Sequence, residues 1–511
     1  MIAFSRRLLR LFGSWLFVSV LLALVLALGV SGWIYLGSYR YEQVDDAVAL
    51  ASKRAYLERV ASGKAAKPST LTGRRRPNVI LILFDDLGFG DLGSFGATAI
   101  KTPRMDALAA AGVRLTDYYS PASVCSPSRA GLLTGRYPPR TRIVQVVMTS
   151  GGTHGAPLPG VPLYEIQRAF GGATRLPAEE ITLPEVLQAA GYATGMFGKW
   201  HLGAQSPSLP NDRGFDRFEG LLSSNDQVPN PYLRGSEIIE ESPVDQSTLT
   251  QRYTDAAISF MDENRANSFF IYMPHTFPHR PLHPSKDRRG RSAGGLYGDV
   301  VEDLDRSVGR IVDALEQRGL ARDTLIMITS DNGPWFQGSP GGHRGRKTGL
   351  FDGGFAVPFI AYFPGVLPHN EVRAEMAMGI DVFPTVLGLA GIELPKDRII
   401  DGKDLLPMLR DNAPSSHQAL YFYWADQLGA VRSGPWKYQS KRPISVGYAP
   451  APVMLQMPLG PWLFNLVDDG DESYDVGERY PEVRDRLAGL LEARNAADAA
   501  DLRGLHGPGP S

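Results

Sequence analysis

Five short apolar runs alternate with helical patterns along the middle of the chain, and this alternation strongly restricts the folds open to it. The runs are rich in β-branched and aromatic residues, and they lie at 78–84, 193–198, 269–273, 324–331 and 355–363. Such runs are typical of strands buried on both faces of a parallel sheet. Helical patterns lie between them, at 103–112, 182–191, 300–319 and 381–391. We therefore predict an α/β fold with a large mixed, mainly parallel sheet sandwiched by helices.

The pattern changes at about residue 395, which predicts a second, smaller domain. Three strand-like stretches lie at 420–426, 429–440 and 462–469. Together with an amphipathic helix at 481–498, they indicate a small C-terminal α+β domain with a short antiparallel sheet. A chain of 511 residues also exceeds the usual size of one domain. We expect a main domain over 78–394 and the smaller one over 395–511, preceded by a helix and linker over 41–77.

The first 40 residues predict a membrane-spanning signal-anchor. Arg6, Arg7 and Arg10 precede an uncharged run over 11–37. This run exceeds the roughly 7–15 apolar residues of a signal peptide and reaches the about 20 that span a bilayer. Because basic flanks stay in the cytoplasm, the rest of the chain is expected outside it, at the periplasmic face of a bacterial inner membrane. The alternative is cleavage near 28–32 followed by secretion.

Charge and cysteine content exclude some functions and leave one residue to explain. The formal net charge is -1, which lacks the basic excess of nucleic-acid binders, so no nucleic-acid partner is expected. Cys125 is the only cysteine, and an exported domain with one cysteine forms no internal disulfide. Cys125 is therefore a buried apolar residue, an intermolecular crosslink or a reactive group.

Polar side chains follow two of the apolar runs. Asp85 and Asp86 come directly after the first run, and Asp331 and Asn332 lie at the end of the fourth. In open α/β sheets, ligands bind outside the carboxyl ends of the strands. Three carboxylates and one amide oxygen suit a hard cation, whereas the lack of a Cys/His cluster disfavours Zn²⁺. Either pair alone is explained as turn or cap residues, but two pairs at two strand ends favour a metal site.

The stretch around the cysteine resembles the signature of a known family. CSPSRAGLLTG, at 125–135, is similar to the C-x-P-S-R and L-T-G signature of the sulfatases. Further similar stretches are NVILILFDDLGFGDLGSFG, GKWHLG, NDRGFDRFEGLLSSNDQ, TLIMITSDNGP and LFNLVDDGDE. The third of these resembles the arylsulfatase A type in particular. The chain is thus identified as a member of the formylglycine-dependent sulfatases, within the alkaline phosphatase superfamily.

The resemblance implies that Cys125 is modified. In this family a separate formylglycine-generating enzyme, an expected partner here, oxidises the signature cysteine to Cα-formylglycine. One hydroxyl of the aldehyde hydrate attacks sulfur, and the other expels sulfate when it returns to the carbonyl. Residue 125 also joins Asp85, Asp86, Asp331 and Asn332 as a ligand of the metal. The expected cation is Ca²⁺, with Mg²⁺ as the alternative.

The resemblance further assigns residues around the nucleophile and the sulfate group. Arg129 lies about one helical turn after Cys125 and holds the hydrate in place. Lys199, in GKWHLG, binds sulfate oxygens, and His201 takes a proton during sulfate expulsion. Ser224, in SSNDQ, corresponds to a serine near the sulfate in the arylsulfatase A type.

Two residues are assigned to the leaving group. His279 in YMPHTFPHRPLHP precedes x-Pro, as in the family pattern, and helps the leaving group to depart. His275 and His283 are weaker candidates for this role. Lys347, in GRKTGLFDGGFAVP, binds sulfate and can protonate the leaving oxygen.

Two positions in the stretch that contains Lys347, GRKTGLFDGGFAVP, depart from the family pattern. Asp352 replaces a glutamate, which is a small change. Ala356 replaces an arginine, which would remove a structural ion pair.

The expected function is hydrolysis of sulfate esters. A phosphonate monoester or phosphodiester hydrolase of the same superfamily is the first alternative, and an inactive binding protein with the same fold is the second. Aryl, carbohydrate and lipid sulfates all remain open as substrates. Specificity is expected to come from the loop-rich stretches 137–178 and 441–462.

Overall fold

The computed structural model describes residues 19–27, 29, 45–71, 75–147, 174–440, 442, 443 and 458–506. In these ranges the helices are α1 (Ala47–Ala61), α2 (Pro103–Ala111), α3 (Cys125–Thr134), α4 (Pro138–Thr141), α5 (Leu183–Ala189), α6 (Leu249–Glu263), α7 (Gly295–Gln317), α8 (Asp352–Phe355), α9 (Val382–Ala390), α10 (Leu406–Asp411) and α11 (Pro481–Asp501). The strands are β1 (Asn78–Phe84), β2 (Val113–Leu115), β3 (Tyr118–Tyr119), β4 (Ala193–Lys199), β5 (Arg217–Leu221), β6 (Tyr232–Arg234), β7 (Glu237–Glu240), β8 (Phe269–Pro274), β9 (Thr324–Ser330), β10 (Phe359–Tyr362), β11 (Glu371–Arg373), β12 (Ala377–Met378), β13 (Leu420–Trp424), β14 (Gln427–Ser433), β15 (Trp436–Gln439), β16 (Arg442–Pro443), β17 (Pro458–Leu459) and β18 (Trp462–Asn465).

A large sheet forms the centre of the molecule. Its strands follow the order β11-β2-β10-β9-β1-β8-β4-β5-β6-β7. In the middle, β1 runs parallel to β8 and β9, and β4 runs parallel to β8 and β5. Strand β10 is antiparallel to β9, as are the pairs at the β6–β7 edge. The predicted mixed, mainly parallel sheet is therefore confirmed.

The two faces of strand β1 contribute to separate cores. Val79, Leu81 and Leu83 lie in one buried cluster, which includes residues of α5 and α9. The intervening side chains of β1, Ile80 and Ile82 among them, lie in a second cluster with residues of α6 and α7. Alternate side chains of a strand point to opposite faces, so burial on both faces explains the continuous apolar run. Helices cover both sides of the sheet, as predicted.

One apolar run forms a shorter strand than predicted. The run 355–363 pairs as β10 only over Phe359–Tyr362. Phe355 instead ends the short helix α8. Pro358 also lacks the N–H that a strand ladder requires, so the first half of the run leads into the strand without belonging to it.

The C-terminal residues form a separate antiparallel sheet of four strands, β13-β14-β15-β18. Helix α11 covers it through Leu487 and Leu491, which lie in one cluster with Leu420 and Phe422 of β13. The predicted small α+β architecture is therefore confirmed. The boundary near residue 395 stays a prediction.

The segment before the central sheet packs on the main domain more extensively than a linker would. Asp46 caps helix α1, because its carboxylate accepts hydrogen bonds from the first backbone N–H groups. Tyr56 and Val60 of this helix are buried, and so are Ala65 and Leu71 beyond it. All four belong to the core cluster that contains α5 and α9. This segment is therefore part of the folded unit.

The predicted signal-anchor lies mostly outside the described residues. Residues 19–27 are helical and exposed. Among the helices that the structure describes, none combines the length and the apolar character needed to cross a membrane.

Candidate active site

The carboxyl ends of neighbouring strands meet at one edge of the central sheet. Strands β9, β1, β8 and β4 are adjacent in that order. Asp331 follows β9, Asp85 follows β1, and Lys199 ends β4. Parallel strands present their carboxyl ends at the same edge, which is why these polar side chains converge. Helix α3 begins with Cys125, and its Arg129 contacts both aspartates.

Arg129 is completely buried between two carboxylates. Its Nη2 lies 2.8 Å from Oδ2 of Asp331 and 3.3 Å from Oδ2 of Asp85. Its Nε donates to Oδ2 of Asp331 at 2.9 Å, and Nη1 donates to the backbone oxygen of Lys199. Burial opposes the charge of the guanidinium, but the two aspartates outweigh burial and raise the pKa of Arg129. Arg129 is therefore a fixed cation that joins helix α3 to three strand ends.

Several potential metal ligands converge on the same point. Asp85, Cys125 and Asp331 each offer one ligand atom, and these three atoms lie within 4.8 Å of one another. Atoms of Asp85, Asp86 and His279 form a second group at the same spacing. The acidic residues predicted from the two strand ends are thus brought together.

Two buried oxygen atoms among the predicted metal ligands, Oδ1 of Asp85 and Oδ1 of Asn332, lack a hydrogen-bond partner among the described residues. The Nδ2 of Asn332 donates to Oδ1 of Asp86 at 2.7 Å, which fixes the orientation of the amide. A buried polar atom without a partner is costly. A hard cation with oxygen ligands would satisfy both atoms, so these residues fit the divalent cation that the sequence predicts.

The pKa values of the two aspartates that contact Arg129 are shifted in opposite directions. Burial disfavours the charge of Asp85, but Lys199, His279 and Arg129 hold the pKa of that carboxyl well below its usual range. Burial and the neighbouring Asp85 carboxylate raise the pKa of Asp331 to about 6. A bound cation favours the charged form of both carboxylates.

Two buried lysines flank Cys125 and the carboxylates. Lys199 Nζ contacts Oδ2 of Asp85 and lies 3.1 Å from Oγ of Ser224. Lys347 Nζ lies 2.7 Å from Oδ1 of Asp86 and 3.6 Å from Sγ of Cys125. Each lysine is thus held by a carboxylate at the edge where an anionic substrate group would meet Cys125.

Cys125 is buried, with 2% of its surface exposed. Burial raises the pKa of the thiol to about 12, although Lys199 and Lys347 act in the opposite direction. An unmodified thiol here therefore stays protonated near neutral pH. Its burial disfavours an intermolecular crosslink, and its charged surroundings disfavour a role as apolar filler.

The histidines divide into two groups. His279 Nδ1 lies 3.0 Å from Oδ1 of Asn225, and its Nε2 lies 3.8 Å from Oδ2 of Asp86. His201 is buried, and its Nε2 lies 3.3 Å from Nε2 of Gln227. Burial lowers the pKa of both His279 and His201. Both are therefore neutral imidazoles near the site at neutral pH.

The two weaker histidine candidates lie elsewhere. His275 stacks on Phe84 with ring centroids 5.7 Å apart, and its Nε2 lies 3.4 Å from Oγ of Ser307. Burial lowers the pKa of His275 to about 3. His283 is exposed. Neither belongs to the groups of potential metal ligands found in the described part of the chain.

Asn225 and Gln227 contact the site histidines but were not predicted individually. Asn225 meets His279 and also donates to the carbonyl oxygen of Pro281 at 3.1 Å. Gln227 meets His201, and its Oε1 accepts a hydrogen bond from Ser223 at 2.6 Å. The available signal was the SSNDQ stretch itself, in which both residues follow Ser224.

A lysine of the C-terminal sheet neutralises Asp352, close to the position of the missing family arginine. Lys437 Nζ lies 2.6 Å from Oδ1 of Asp352 and 2.8 Å from Oε1 of Glu472. Tyr119 donates to the other oxygen of Asp352 at 2.7 Å. Burial raises the pKa of Glu472 to about 7, against the effect of Lys437. The ion pair of Asp352 thus comes from the C-terminal sheet.

Comparisons with known proteins agree with this geometry. The family model described as Sulfatase matches residues 77–392. Steryl-sulfatase of Mus musculus is 33% identical over an alignment of 531 positions, which spans 83% of this chain and 82% of that protein. Arylsulfatase A of Bos taurus is 35% identical over 453 residues, covering 80% of this chain and 84% of that protein.

A solved structure is similar over most of the chain. The PsFucS1 sulfatase from Pseudoalteromonas sp. aligns with a TM-score of 0.72 and 26% identity, covering 89% of this chain and 95% of that one. The protein therefore combines the sulfatase fold with a buried cluster of acidic and basic residues at the signature cysteine. The chain belongs to the sulfatase family, and it is a sulfuric ester hydrolase.

Proposed function

We propose that this sulfatase cleaves sulfate esters with a nucleophile formed from Cys125, assisted by a divalent cation. The observation that carries the proposal is the position of Cys125 Sγ, 3.6 Å from Lys347 Nζ and within metal-ligand spacing of Asp85 and Asp331. A Cα-formylglycine hydrate at this position would supply an oxygen nucleophile that a protonated thiol lacks. A formylglycine-generating enzyme is then a required partner.

The basic residues would stabilise the charge of the sulfate group. Arg129, which is paired with Asp85 and Asp331, would hold the hydrate at residue 125 in place. Lys199 and Lys347 would bind the sulfate oxygens, with Ser224 beside Lys199. Cations fixed in a buried site stabilise a transferring anionic group without reorganising.

The two neutral histidines would have different roles. Lys347 would give the leaving oxygen its proton, and His279, oriented by Asn225, would lie beside that oxygen. His201, oriented by Gln227, would accept a proton from residue 125. A neutral imidazole can accept a proton, whereas an imidazolium cannot.

The cation, Ca²⁺ or Mg²⁺, would be held by five side chains, those of Asp85, Asp86, Asp331, Asn332 and residue 125. When bound, the ion would polarise sulfate oxygens as a Lewis acid.

Chelation of the cation should lower both activity and Tm, and added Ca²⁺ should raise Tm again. Asp331→Asn should remove most of this Ca²⁺-dependent shift, while exposed Asp255→Asn should retain it. Equal shifts in the two variants would contradict the site.

Mass spectrometry of the tryptic peptide Leu115–Arg129 tests the modification directly. An aldehyde or its hydrate is expected at Cys125 in natively produced, active protein. Only unmodified thiol in such protein would contradict the proposal. Cys125→Ala should abolish turnover while the fold and Tm are retained.

A phosphonate monoester or phosphodiester hydrolase is the competing function, and the sulfatase relatives described above do not favour it. A side-by-side assay with an aryl sulfate and an aryl phosphodiester tests it. We expect the larger kcat/KM on the sulfate. A larger kcat/KM on the phosphodiester would reverse the assignment.

We also propose that the enzyme works outside the cytoplasm. The basic residues Arg6, Arg7 and Arg10 before the apolar run 11–37 support a signal-anchor. Secretion after cleavage near 28–32 is the alternative. Detection of residues 1–27 in the mature protein by mass spectrometry would distinguish the two.

A further inference from the structure

A cavity of about 210 Å³ lies beside the candidate active site. One part of its wall comes from Val124 and Pro127, on either side of Cys125 in the chain. Another part is Thr348, the residue after Lys347. The cavity therefore lies against the two chain segments that carry Cys125 and Lys347.

The C-terminal sheet closes the cavity from another direction. Tyr423 and Trp424, at the end of β13, contribute to the lining together with Ala425 of the following turn. An alcohol portion that occupied this cavity would thus meet an aromatic wall.

We propose that this cavity, the ring pocket, binds an uncharged ring of the alcohol portion of the sulfate ester. The inference rests on the proposed function, because it presupposes a sulfate ester held at Cys125. The ring belongs to an aryl group or to a neutral sugar, since an aromatic ring and the C–H face of a sugar ring both stack on an indole.

The size of the ring pocket favours one ring. An apolar cavity of about 150 Å³ accommodates benzene, whereas pockets for drug-sized ligands span about 300–1,000 Å³. At about 210 Å³, the ring pocket fits a single six-membered ring with a small substituent. An oligosaccharide would extend beyond it.

The lining of the ring pocket is uncharged. Among the described residues that form it, none has a charged side chain; polar groups come from Ser123, Gln145 and Thr348 and from the aromatic residues Tyr423 and Trp424. The neighbouring sulfate site, by contrast, holds Lys199 and Lys347. A ring carboxylate or a second sulfate would lose its hydration in the pocket without gaining a cationic partner. Charge therefore directs the sulfate to Cys125 and a neutral ring to the pocket.

Trp424 presents a preformed surface. Its side chain is 37% exposed, which leaves part of the indole available for stacking. Ala425 has a φ of 55°, in the left-handed region that non-glycine residues uncommonly adopt. The Tyr423 hydroxyl donates to Oδ2 of Asp498 at 2.6 Å and accepts from Nε of Arg494 at 2.8 Å. These contacts fix the hairpin that carries the indole.

The first test compares substrate and product binding in Trp424→Ala. We expect KM for 4-nitrophenyl sulfate to rise about tenfold, with the Ki of inorganic sulfate unchanged, because only the ring contacts the pocket. Trp424→Phe should restore most of the affinity. Tyr474→Ala, another exposed aromatic of the C-terminal part, should change neither constant.

The second test varies the ring. KM of wild-type enzyme should be higher for 4-sulfooxybenzoate than for its uncharged methyl ester. Galactose 6-sulfate identifies the source of the ring. A rise of its KM in Trp424→Ala indicates a neutral sugar, and a rise confined to 4-nitrophenyl sulfate indicates an aryl group.

Three results would overturn the ring pocket while leaving sulfate ester hydrolysis intact. They are an unchanged KM in Trp424→Ala for all these esters, a parallel rise in the Ki of sulfate, and tighter binding of the charged ester. If the wild-type enzyme hydrolyses none of the esters, the proposed function falls together with the ring pocket.

Discussion

The residues of the candidate site form a balanced set of buried charges. Arg129 contacts Asp85 and Asp331, Lys199 contacts Asp85, and Lys347 contacts Asp86. Removing one member of such a set leaves its partner uncompensated in a buried position. Substitutions should therefore differ according to whether they remove a charge or only a hydrogen bond.

We expect Lys199→Met to lower kcat/KM by about 10³-fold or more, because it removes a cation from the sulfate site and weakens the compensation of Asp85. Ser224→Ala removes only the neutral neighbour of Lys199 and should cost about tenfold or less. Steady-state kinetics with 4-nitrophenyl sulfate measures both. Equal losses in the two variants would contradict a sulfate-binding role for Lys199.

The charged residues of the site were predicted from two signals. Asp85, Asp86 and Asp331 lie at strand ends, whereas the resemblance to the family motifs supplied Arg129, Lys199 and Lys347. The partners that orient the histidines were harder to find. Asn225 and Gln227 meet His279 and His201 only because the loop after β5 folds against the loops after β8 and β4. No spacing along the chain encodes that contact.

At the scale of elements, strands were predicted better than the segments between them. Strand β1 coincides with its apolar run because every residue in it is buried. The sequence predicts a linker between α1 and β1, because apolar residues in this segment are few and separated. Ala65 and Leu71 are nevertheless buried, and burial of isolated side chains leaves no periodic pattern.

This packing predicts a truncation effect. A chain beginning at Asp45 should keep its full Tm, whereas one beginning at Arg76 should lose several degrees. The second truncation exposes the core surface beneath Tyr56 and Val60, and it removes the ion pair of Lys53 with Glu185, which are 2.5 Å apart. Calorimetry of both proteins measures the difference. Equal Tm values would show that the segment contributes nothing to stability.

At the scale of the whole molecule, a buried ion cluster joins the two architectural parts. Lys437 reaches from the C-terminal sheet to Asp352, just after the loop that carries Lys347, and to Glu472. It also donates to the backbone oxygen of Leu350 at 2.9 Å. The sequence alone does not indicate this cluster, because Lys437 lies 85 residues after Asp352 in the chain, in a different sheet from the central one.

Lys437→Met should lower the free energy of unfolding by about 3–5 kcal/mol, because it leaves two buried carboxyl groups without a cation. Exposed Lys396→Met should change it by less than about 0.5 kcal/mol. Adding Glu472→Gln to Lys437→Met should recover part of the loss, since one uncompensated acid is then removed. Urea unfolding measures all three. A loss of the same size in Lys396→Met would contradict the role of the cluster.

The C-terminal sheet therefore has two roles, one in stability and one in substrate binding. Replacing this sheet with that of a relative would change both at once. Lys437 supports the loop next to the nucleophile, and Trp424 forms a wall of the ring pocket. A grafted sheet would bring a new substrate preference to unchanged chemistry in the central sheet. The graft would keep the stability of the parent enzyme only if it also carried a cation for Asp352, so redesign of specificity in this enzyme begins with position 437 and not with the pocket.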